Sequence, residues 1–342
     1  MPVIRSYGNA FELADYTQEL TLVPNKWTLL NDIGLFAPER LTTSTATFEA
    51  MEGTLALIGD KRRGDKPTAM KGDVRKIHSY VVPHFPTTDS LTGEDLAGKR
   101  AYGSTSRQET EVEAISKKIA KIARAYDDTW ELARFKTLTT LQAYAPNGTI
   151  AANFATDFGI TQLSVNFALT TATTDVIAKV EEVIAHIQDN AKGTSLTGVV
   201  CYASPEFFAA LISHAKVQTA YQYYTATDAQ SILRNRAGGN NMNMYREFSY
   251  GGVRFIEVRG SAPDGTRFVP ANEAVFIPTG TEGVFVTYFA PSTKIDFVGS
   301  IAEDRYLWTY RGPKGDKIEI EAESNMLNII RQPALVVKGV KA

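Results

Sequence analysis

The histidines and the single cysteine are the side chains of this sequence best suited to hold a metal ion or to act as nucleophiles. The histidines are His78, His84, His186 and His214, and none stands at metal-ligand spacing from another histidine or from Cys201. One cysteine can form neither an intramolecular disulfide nor a cysteine-based zinc cluster. It lies within the apolar segment LTGVVCYA, where a thiol is usually inert. The sequence therefore predicts no metal site and no cofactor, and a reducing, cytoplasmic origin.

Two further segments resemble catalytic motifs only superficially. Ser204 stands at a strand-to-helix turn, as in a nucleophile elbow, but YASPE lacks the flanking glycines that tighten such a turn. Ser204 is instead expected to cap a helix that starts with Pro205. GPKGDK near Gly312 lacks the spacing of a phosphate-binding loop, and no helical pattern follows it. No pair of carboxylates stands out from solvated surface, so the sequence does not indicate an enzyme.

Length and composition indicate a globular chain without a strong charge preference. The chain has 342 residues, 44% hydrophobic and 22% charged, which is enough for roughly two domains of about 150 residues. There are 36 lysines and arginines against 38 aspartates and glutamates, a net charge of −2. That balance lacks the basic footprint of a protein that grips nucleic acid, so any DNA contact should be local or weak. Neither a membrane span nor a signal peptide is apparent, and we expect a soluble protein.

The first 85 residues predict two extended features. Residues 1–40 are rich in aromatic side chains without sustained periodicity, which predicts an extended N-terminal arm that packs on other protein surface, with another subunit as one candidate. Residues 41–85 contain two alternating segments around GDKRRGDKPTAMKGD, which predicts an extended two-stranded loop. A basic run lies near its tip: Lys61, Arg62, Arg63 and Lys66. A solvated loop tip is the simplest interpretation of this run, and contact with an acidic neighbour or with DNA is the alternative.

Residues from Ser106 to about Tyr144 predict one long helix. Ser106 and Glu109 form an S-x-x-E capping box, and acidic residues precede basic ones, as the helix dipole favours. Apolar residues recur at steps of three and four without a proline or glycine before Pro146, so the helix could reach about 57 Å. Its predicted buried face consists of Ile115, Ile119, Ile122, Tyr126 and Trp130. A coiled coil is the alternative, but a helix lying across a sheet suits the rest of the chain better.

The remaining sequence alternates strand and helix patterns, which indicates an α+β fold. An amphipathic helix is expected from Thr174 to near Gly193, and strands are expected at LTGVVCYA, GGVRFIEV, EAVFIPT and GVFVTYFA. KIEIEAE alternates without interruption, which predicts a strand with one wet face. The wet face would carry Lys317, Glu319, Glu321 and Glu323. Ile318 and Ile320 would turn inward, toward the long helix.

The segment VVPHFPTTDSLTGEDLAGKRAYG, residues 81–103, resembles a motif of one known family. It is similar to the pattern V-P-H-x-P-x-x-D-x-(hydrophobic)-x-x-x-D-(hydrophobic)-x-G-x-R-A-(aromatic)-G of tailed-phage major capsid proteins typified by the phage lambda capsid protein E. The matching positions are Pro83, His84, Pro86, Asp89, Asp95, Gly98, Arg100, Ala101 and Gly103. EIEAESNMLNIIRQPALVV also resembles the family's E-x-x-S-N-P-L stretch and the R-P pair after it. Met326 stands where that proline often sits, and Gln332 separates Arg331 from Pro333.

The resemblance implies the Hong Kong ninety-seven capsid fold, an α+β architecture in which parts of the subunit reach for neighbours. The implied division is an N-terminal arm at 1–40, an extended two-stranded loop at 41–85, a peripheral domain at 86–165 with a spine helix at about 106–144, an axial domain at 166–290, return strands of the peripheral domain at 291–325, and C-terminal strands near the axial domain at 326–342. An arm, a long loop and an overlong helix are awkward in a monomer, and all three make sense in a shell subunit.

The resemblance also implies a function. The chain would assemble into pentamers and hexamers of an icosahedral phage head around double-stranded DNA, which it would hold without sequence preference. Its other partners would be portal, scaffold and, in some heads, decoration proteins, and no membrane. It would belong to the virion and be assembled in the host bacterial cytoplasm. Two alternatives stay open: an encapsulin-like nanocompartment shell protein, which shares the fold but encloses no genome, and an α+β enzyme.

The extended loop would overlie a neighbouring subunit. Its basic run, Lys61, Arg62, Arg63 and Lys66, would then meet acidic groups there. Some relatives with this fold link the loop covalently by a lysine to asparagine isopeptide bond. No feature of this sequence selects one lysine for such a bond, so we do not expect one.

Overall fold

The fold is built from short strands around one long helix. The computed structural model describes residues 28–52, 74–96, 110–144, 150–222, 236–237, 245–312 and 316–342. Its helices are α1 (Leu29–Ile33), α2 (Gly93–Leu96), α3 (Glu111–Thr140), α4 (Phe154–Asp157), α5 (Val176–Asn190), α6 (Pro205–Ser213) and α7 (Ala215–Gln222). Its strands are β1 (Ala37–Arg40), β2 (Thr45–Glu52), β3 (Val74–Val81), β4 (Phe85–Thr92), β5 (Gln142–Tyr144), β6 (Ile150–Asn153), β7 (Ser164–Asn166), β8 (Gly198–Ala203), β9 (Arg236–Ala237), β10 (Tyr245–Tyr250), β11 (Val253–Glu257), β12 (Glu273–Thr279), β13 (Phe285–Phe289), β14 (Tyr306–Arg311), β15 (Lys317–Ser324), β16 (Met326–Ile330) and β17 (Val337–Val340).

The largest sheet has seven strands, in the order β7, β17, β12, β8, β11, β10, β9. Strand β8 lies at its centre, parallel to β11 and antiparallel to β12. Cys201 on β8 is fully buried, and burial raises the pKa of its thiol. Ser204 after β8 accepts a bond from the Phe207 amide (3.3 Å) and Pro205 opens α6, so the predicted helix cap is confirmed. The buried apolar residues of α5 and α6 join the main core of this sheet: Val176, Val180, Val183, Ile187, Phe207, Phe208 and Leu211.

A second, antiparallel sheet has the order β14, β15, β4. Its central strand pairs Ile320 with Thr309 on β14 and with Asp89 on β4. Ile320 is fully buried, whereas Glu319 beside it is exposed. Helix α3 contacts β4, β15 and β16. The long helix therefore lies across strands, as expected, and not in a coiled coil.

A third sheet joins the start of the described chain to its end. Strand β1 pairs in parallel with β13, and β13 pairs antiparallel with β16. Leu29, Leu30 and Phe36, which precede β1, are buried in the main core. Residues 28–40 are the described part of the predicted arm, and they pack on their own chain because these apolar side chains find contacts there. Residues 1–27 lie outside the described residues.

Strands β2 and β3 form a two-stranded sheet, with Thr45 opposite Val81 and Phe48 opposite His78. The two-stranded pairing predicted for this segment is therefore present at 45–52 and 74–81. The basic run Lys61, Arg62, Arg63 and Lys66 falls between these strands and lies outside the described residues.

Helix α3 begins at Glu111 and not at Ser106 as predicted. Thr110 is the N-cap: its hydroxyl accepts from the Glu113 amide (3.3 Å), and the Glu113 carboxylate accepts from the Thr110 amide (3.1 Å). T-E-V-E is thus a second capping box, four residues after S-R-Q-E. Local pattern alone does not choose between two such boxes.

The helix also ends earlier than predicted, at Thr140, with 30 residues and a length of about 45 Å. Leu141 takes a left-handed conformation with φ of 53°, and strand β5 follows. The hydroxyls of Thr137 and Thr140 donate to carbonyls four residues back, at 2.9 and 2.7 Å. Because neither glycine nor proline marks this stop, periodicity carried the predicted helix on to residue 144.

The described side chains form two buried clusters. The larger surrounds the seven-stranded sheet and reaches the C-terminal half of α3. The smaller lies beneath the middle of α3 and consists of Phe85, Ile122, Tyr126, Trp130, Ala133, Phe289, Ala302, Ile320, Ala322 and Met326. Within the described ranges, no helix is long and apolar enough to cross a membrane.

Candidate assembly surfaces

The V-P-H segment and the E-S-N segment meet at one point of the fold. The exposed His84 precedes β4, and its Nδ1 lies 2.7 Å from Oδ1 of Asn325, 241 residues later. An amide oxygen only accepts hydrogen bonds, so the histidine ring donates from Nδ1. The amide nitrogen of Asn325 donates to the carbonyl of Pro291 (2.9 Å). One buried asparagine between β15 and β16 thereby joins three distant segments of chain.

Glu323 is buried, which corrects its predicted place on a wet face. Its carboxylate accepts from the amide and the hydroxyl of Thr293, at 3.2 and 3.3 Å. The alternation predicted for β15 is right, since Glu319 on the same side is exposed. The chain after β13 folds over the other end of the strand and covers Glu323. Alternation cannot distinguish a wet face from one that a distant loop covers.

Two acidic residues of the V-P-H motif fix β4 and the turn after it. The Lys118 amine on α3 donates to Asp89 on β4 at 2.7 Å, and this bond lowers the pKa of the Asp89 carboxyl. Asp95 accepts from the amide and hydroxyl of Thr92, at 3.1 and 2.9 Å, and its own amide donates back to that hydroxyl at 3.3 Å. Both positions therefore hold the chain in place.

Of the other motif positions, two lie in or next to an edge strand, and the rest lie outside the described residues. Pro83 precedes β4, and the exposed Pro86 lies within it, opposite Glu323. Strand β4 is an edge of its sheet, where a proline is tolerated because no partner needs its missing N–H. The remaining positions, Gly98, Arg100, Ala101 and Gly103, lie outside the described residues.

The residues predicted for the buried face of α3 lie at different depths. Ile122, Tyr126 and Trp130 are buried, and Ile115 and Ile119 are half-buried against the same cluster. The Tyr126 hydroxyl donates to the Phe85 carbonyl (2.9 Å), and burial raises its pKa to about 12. The Trp130 ring lies 5.5 Å from that of Phe289 and 4.1 Å from the guanidinium of Arg305. Helix α3, strand β13 and the residue that precedes β14 therefore meet at Trp130.

Sequence reasoning missed two buried charged residues on α3. Glu131 accepts from the backbone amides of Leu30 (2.7 Å) and Asn31 (3.0 Å), so its carboxyl group caps the first turn of α1. Burial raises the pKa of Glu131 to about 8, although these amides and Arg134 act in the opposite direction. Arg134 donates to the Asn31 side chain and to the Thr287 hydroxyl (3.4 Å). A glutamate and an arginine three positions apart usually indicate a surface pair, so nothing local marked them as buried.

Aromatic rings fix the base of the β2–β3 hairpin. The His78 ring stacks on Phe158 with a centroid distance of 4.5 Å and on Phe48 at 5.5 Å. The Tyr80 hydroxyl donates to the Asp157 carboxylate at 2.9 Å. Phe158 and Asp157 belong to the segment of α4. One face of the hairpin is therefore fastened to the body of the subunit.

On the opposite face of the hairpin, the side chains of Thr47, Ile77, Ser79 and Val81 are exposed. Side chains alternate along a strand, so Ile77 and Val81 point away from the ring stack, with 65% and 70% of their surface exposed. Neither β2 nor β3 pairs with any other described strand. Exposed apolar side chains on such a separate pair of strands are typical of a surface that another molecule covers.

The histidines hold structural positions. His186 Nε2 lies 3.1 Å from the Ala334 carbonyl, and His214 Nε2 lies 3.0 Å from the Thr171 carbonyl. Across the part of the chain that the structure describes, no group of three or more histidine, cysteine, aspartate or glutamate side chains is arranged to hold a metal ion.

Comparison with known proteins identifies the family. A family model described as phage major capsid protein E matches residues 12–341. The chain belongs to this family. Its relatives include the major capsid protein of Pseudomonas phage KPP10, 39% identical over 356 aligned positions that span both chains completely. The major capsid protein of Salmonella phage Felix O1 is 27% identical, over 97% of this chain and 96% of the relative.

A solved capsid structure shows the same fold. The subunit in the asymmetric unit of the bacteriophage PhiM1 mature capsid matches with a TM-score of 0.56 and 13% identity, over 97% of this chain and 91% of that one. The capsid family recognised from the V-P-H segment and the α+β fold of the Hong Kong ninety-seven type are both confirmed. As a capsid protein, the chain belongs to the virion.

Proposed function

We propose that this chain assembles as pentamers and hexamers into the icosahedral head of a tailed phage, around double-stranded DNA, and acts as a structural protein and not as an enzyme. The observation that supports this most strongly is the β2–β3 hairpin. It is fastened at its base, pairs with no other described strand and exposes Ile77 and Val81. Such a separate pair of strands gains little within one subunit, and a neighbour in a shell would cover it.

The strand arrangement supports a division into domains. We assign residues 86–165 and 291–325 to a peripheral domain, because β4 comes from the first range and β14 and β15 from the second, and all three form one sheet. We assign residues 166–290 to an axial domain, which contributes β8 to β12 of the seven-stranded sheet. Strand β17 from residues 326–342 joins that sheet, which supports a C-terminal segment near the axial domain.

The proposed partners follow from the need of a phage head to take up its DNA and to release it again. With a net charge of −2, the chain should hold DNA weakly and without sequence preference. Tight, sequence-specific binding at physiological salt would contradict this. Portal and scaffold proteins, and in some heads a decoration protein, would act with it during assembly in the host bacterial cytoplasm.

The basic run of the extended loop is proposed to meet acidic groups of a neighbouring subunit. An exposed ion pair is worth about 0 to 1 kcal/mol, so reversing one charge should be tolerated. Reversing Lys61, Arg62, Arg63 and Lys66 together should prevent assembly. Normal shells from the quadruple variant would place the contact elsewhere. Denaturing gels should show single chains, whereas ladders of linked subunits would reveal an isopeptide bond.

Electron microscopy of particles formed by the expressed chain, alone and with its scaffold protein, tests the proposed function. Closed icosahedral shells that protect DNA from nuclease when packaging proteins are supplied are the expected result. A monodisperse monomer under every condition would overturn the proposal. Shells that enclose protein cargo and never DNA would identify a nanocompartment instead. Ile77→Ser combined with Val81→Ser should reduce shell yield and leave the subunit's melting temperature unchanged, since both side chains are exposed.

A further inference from the structure

The chain between β13 and β14, residues 290–305, forms a loop with an apolar tip. Its exposed aliphatic side chains are Ile295, Val298 and Ile301, with 90%, 76% and 67% of their surface accessible. Ile295 is the most exposed large hydrophobic residue of the described chain. Water-exposed aliphatic groups this close together usually mark a contact surface.

The loop is fastened to the outer face of the β14–β15–β4 sheet. The Phe297 ring lies 5.0 Å from that of Tyr306 and 5.9 Å from that of Trp308. The Lys294 amine lies 4.0 Å from the centroid of Trp308 and bonds to Glu321. The tip is therefore held outward by packing beneath it, and its exposure does not come from a loose loop.

Backbone contacts at the far end of the loop complete this anchorage. The Ala302 amide donates to the Leu41 carbonyl (2.9 Å), and the Glu303 amide donates to the Tyr306 hydroxyl (2.8 Å). Ala302 itself is fully buried. The residues on both sides of the tip are thus fixed while the tip is bare.

The charges around the tip favour a protein as its occupant. Asp296 lies within the tip and is exposed. Glu303 and Asp304 flank it and share one cation, Arg40, at 3.9 and 3.2 Å. The Lys294 amine is engaged by Glu321. An acidic rim repels nucleic acid and the anionic surface of a membrane, both of which attract basic residues.

We propose that Ile295, Val298 and Ile301 dock on a second copy of this chain within the shell. This inference rests on the proposed function. Three side chains offer a few hundred Å² of apolar surface. A stable complex of two proteins buries about 800 Å² on each partner. A different protein bound at this tip would need additional contacts elsewhere on the subunit to reach that area. A second copy of this chain would not, because other contacts of the shell already hold it in place.

The small size of the contact also explains when it would form. Alone, the tip is too small to hold two subunits together. Once other contacts bring two copies to fixed positions, the tip meets its neighbour at a high effective concentration. The tip would therefore stabilise finished shells more than early assembly intermediates.

Thiol labelling of Ile295→Cys tests the contact. Cys201 is buried, so labelling of the native thiol should be slow and the introduced thiol dominates. We expect a maleimide to react with free subunits rapidly and with shells at least about tenfold more slowly, as for a group protected by a contact. Equal rates in subunits and shells would overturn the inference. Ile301→Cys provides an independent second position should the first variant not assemble.

Cross-linking of the same shells identifies the occupant. A thiol-to-amine cross-linker on Ile295→Cys should give dimers whose two peptides both come from this chain. Cross-links to another virion protein, or none, would exclude a second copy. If the wild-type chain forms no shells, the proposed function fails and this inference with it. If shells form and the tip stays reactive, only the inference fails.

A double variant tests how much the contact contributes to shell assembly. Ile295→Asp with Val298→Asp should leave the melting temperature of the free subunit unchanged, because both side chains are exposed, and should lower shell yield at least about tenfold. Ile177→Asp on α5, 45% exposed, serves as the matched control for an added surface charge. Equal yields from the double variant and the wild type would contradict the contact.

Discussion

The half of the subunit around the seven-stranded sheet and the half beneath the middle of α3 are stabilised in different ways. In the first, Phe276 stacks on Phe167 with ring centroids 5.4 Å apart and meets Phe255 edge-on at 5.8 Å. Glu257 is buried there, but two arginines reach it at the end of its strand: Arg259 at 2.9 Å and Arg246 at 3.6 Å. Apolar contact dominates this half.

The half beneath α3 has a smaller apolar cluster and depends more on polar contacts between distant segments. Tyr126 bonds to the Phe85 carbonyl, and Asn325 joins His84 to Pro291. Hydrogen bonds fix distance and direction, whereas apolar contacts mainly contribute area. The first half therefore has the larger apolar core, to which the hairpin is also fastened, and the second fixes the position of the apolar tip relative to the body.

The largest effect is expected from Phe276→Ala. Phe276 is fully buried, so its removal should lower the free energy of unfolding by about 3 to 5 kcal/mol in urea denaturation of the free subunit. Leu307→Ala on β14, 41% exposed, is the control and should change it by less than about 0.5 kcal/mol. Equal losses of stability in the two variants would contradict the burial of Phe276.

Trp130→Ala tests the half of the subunit beneath α3. The loss in stability should also be about 3 to 5 kcal/mol, since Trp130 packs on Phe289 and Arg305. In hydrogen exchange, however, the loss of protection should concentrate in β4, β14 and β15 and spare β8 and β12. Uniform loss across both sheets would mean that the two halves unfold as one unit.

A pH dependence is expected from Glu131. Its pKa is raised from 4.5 to about 8 in the folded chain, so the folded state keeps a proton that the unfolded state releases. Its contribution to stability is therefore complete below pH 4.5 and declines as pH rises toward 8, by at most about 1.4 kcal/mol per pH unit. Glu131→Gln is neutral throughout and should lack this slope. Urea titrations of both proteins from pH 5 to 8 should therefore diverge, and parallel curves would refute the shift.

Asn325→Asp tests the polar junction. The change replaces the amide that donates to the Pro291 carbonyl with an oxygen, beside the Glu323 carboxylate. It should lower the free energy of unfolding by about 1 to 3 kcal/mol. His84→Gln keeps a donor at an exposed position and should have a much smaller effect. If the two variants behave alike, the buried amide is not the centre of the junction.

The smallest effect concerns the start of α3. Thr110→Ala removes the N-cap and should lower stability by about 1 kcal/mol, with faster exchange in the first turn only. Ser106→Ala is the matched control and should have no measurable effect. A larger effect at Ser106 than at Thr110 would move the start of the helix to the earlier box.

Local patterns predicted the elements but not what covers them. Ser204 and Pro205 identified the start of α6, and the alternation of KIEIEAE identified β15, because both signals lie within a few residues. Burial of Glu323 under Thr293 and capping of α1 by Glu131 depend on segments far apart in the chain. No spacing rule connects such residues. The C-terminal stop of α3 was missed because Leu141 adopts a conformation usually taken by glycine.

Because β1 pairs with β13, the sheet that they share can form only late in synthesis of the chain. Ala37 lies beside Val286, so the partner of one of the first strands is among the last parts of the chain to be made. At about 5 to 20 residues per second, the ribosome needs roughly 12 to 50 seconds to pass from one to the other. Strand β16 beyond it must follow before this sheet closes. A truncated chain that stops before β13 therefore cannot complete this sheet, so incomplete translation products would be poorly suited to enter a growing shell.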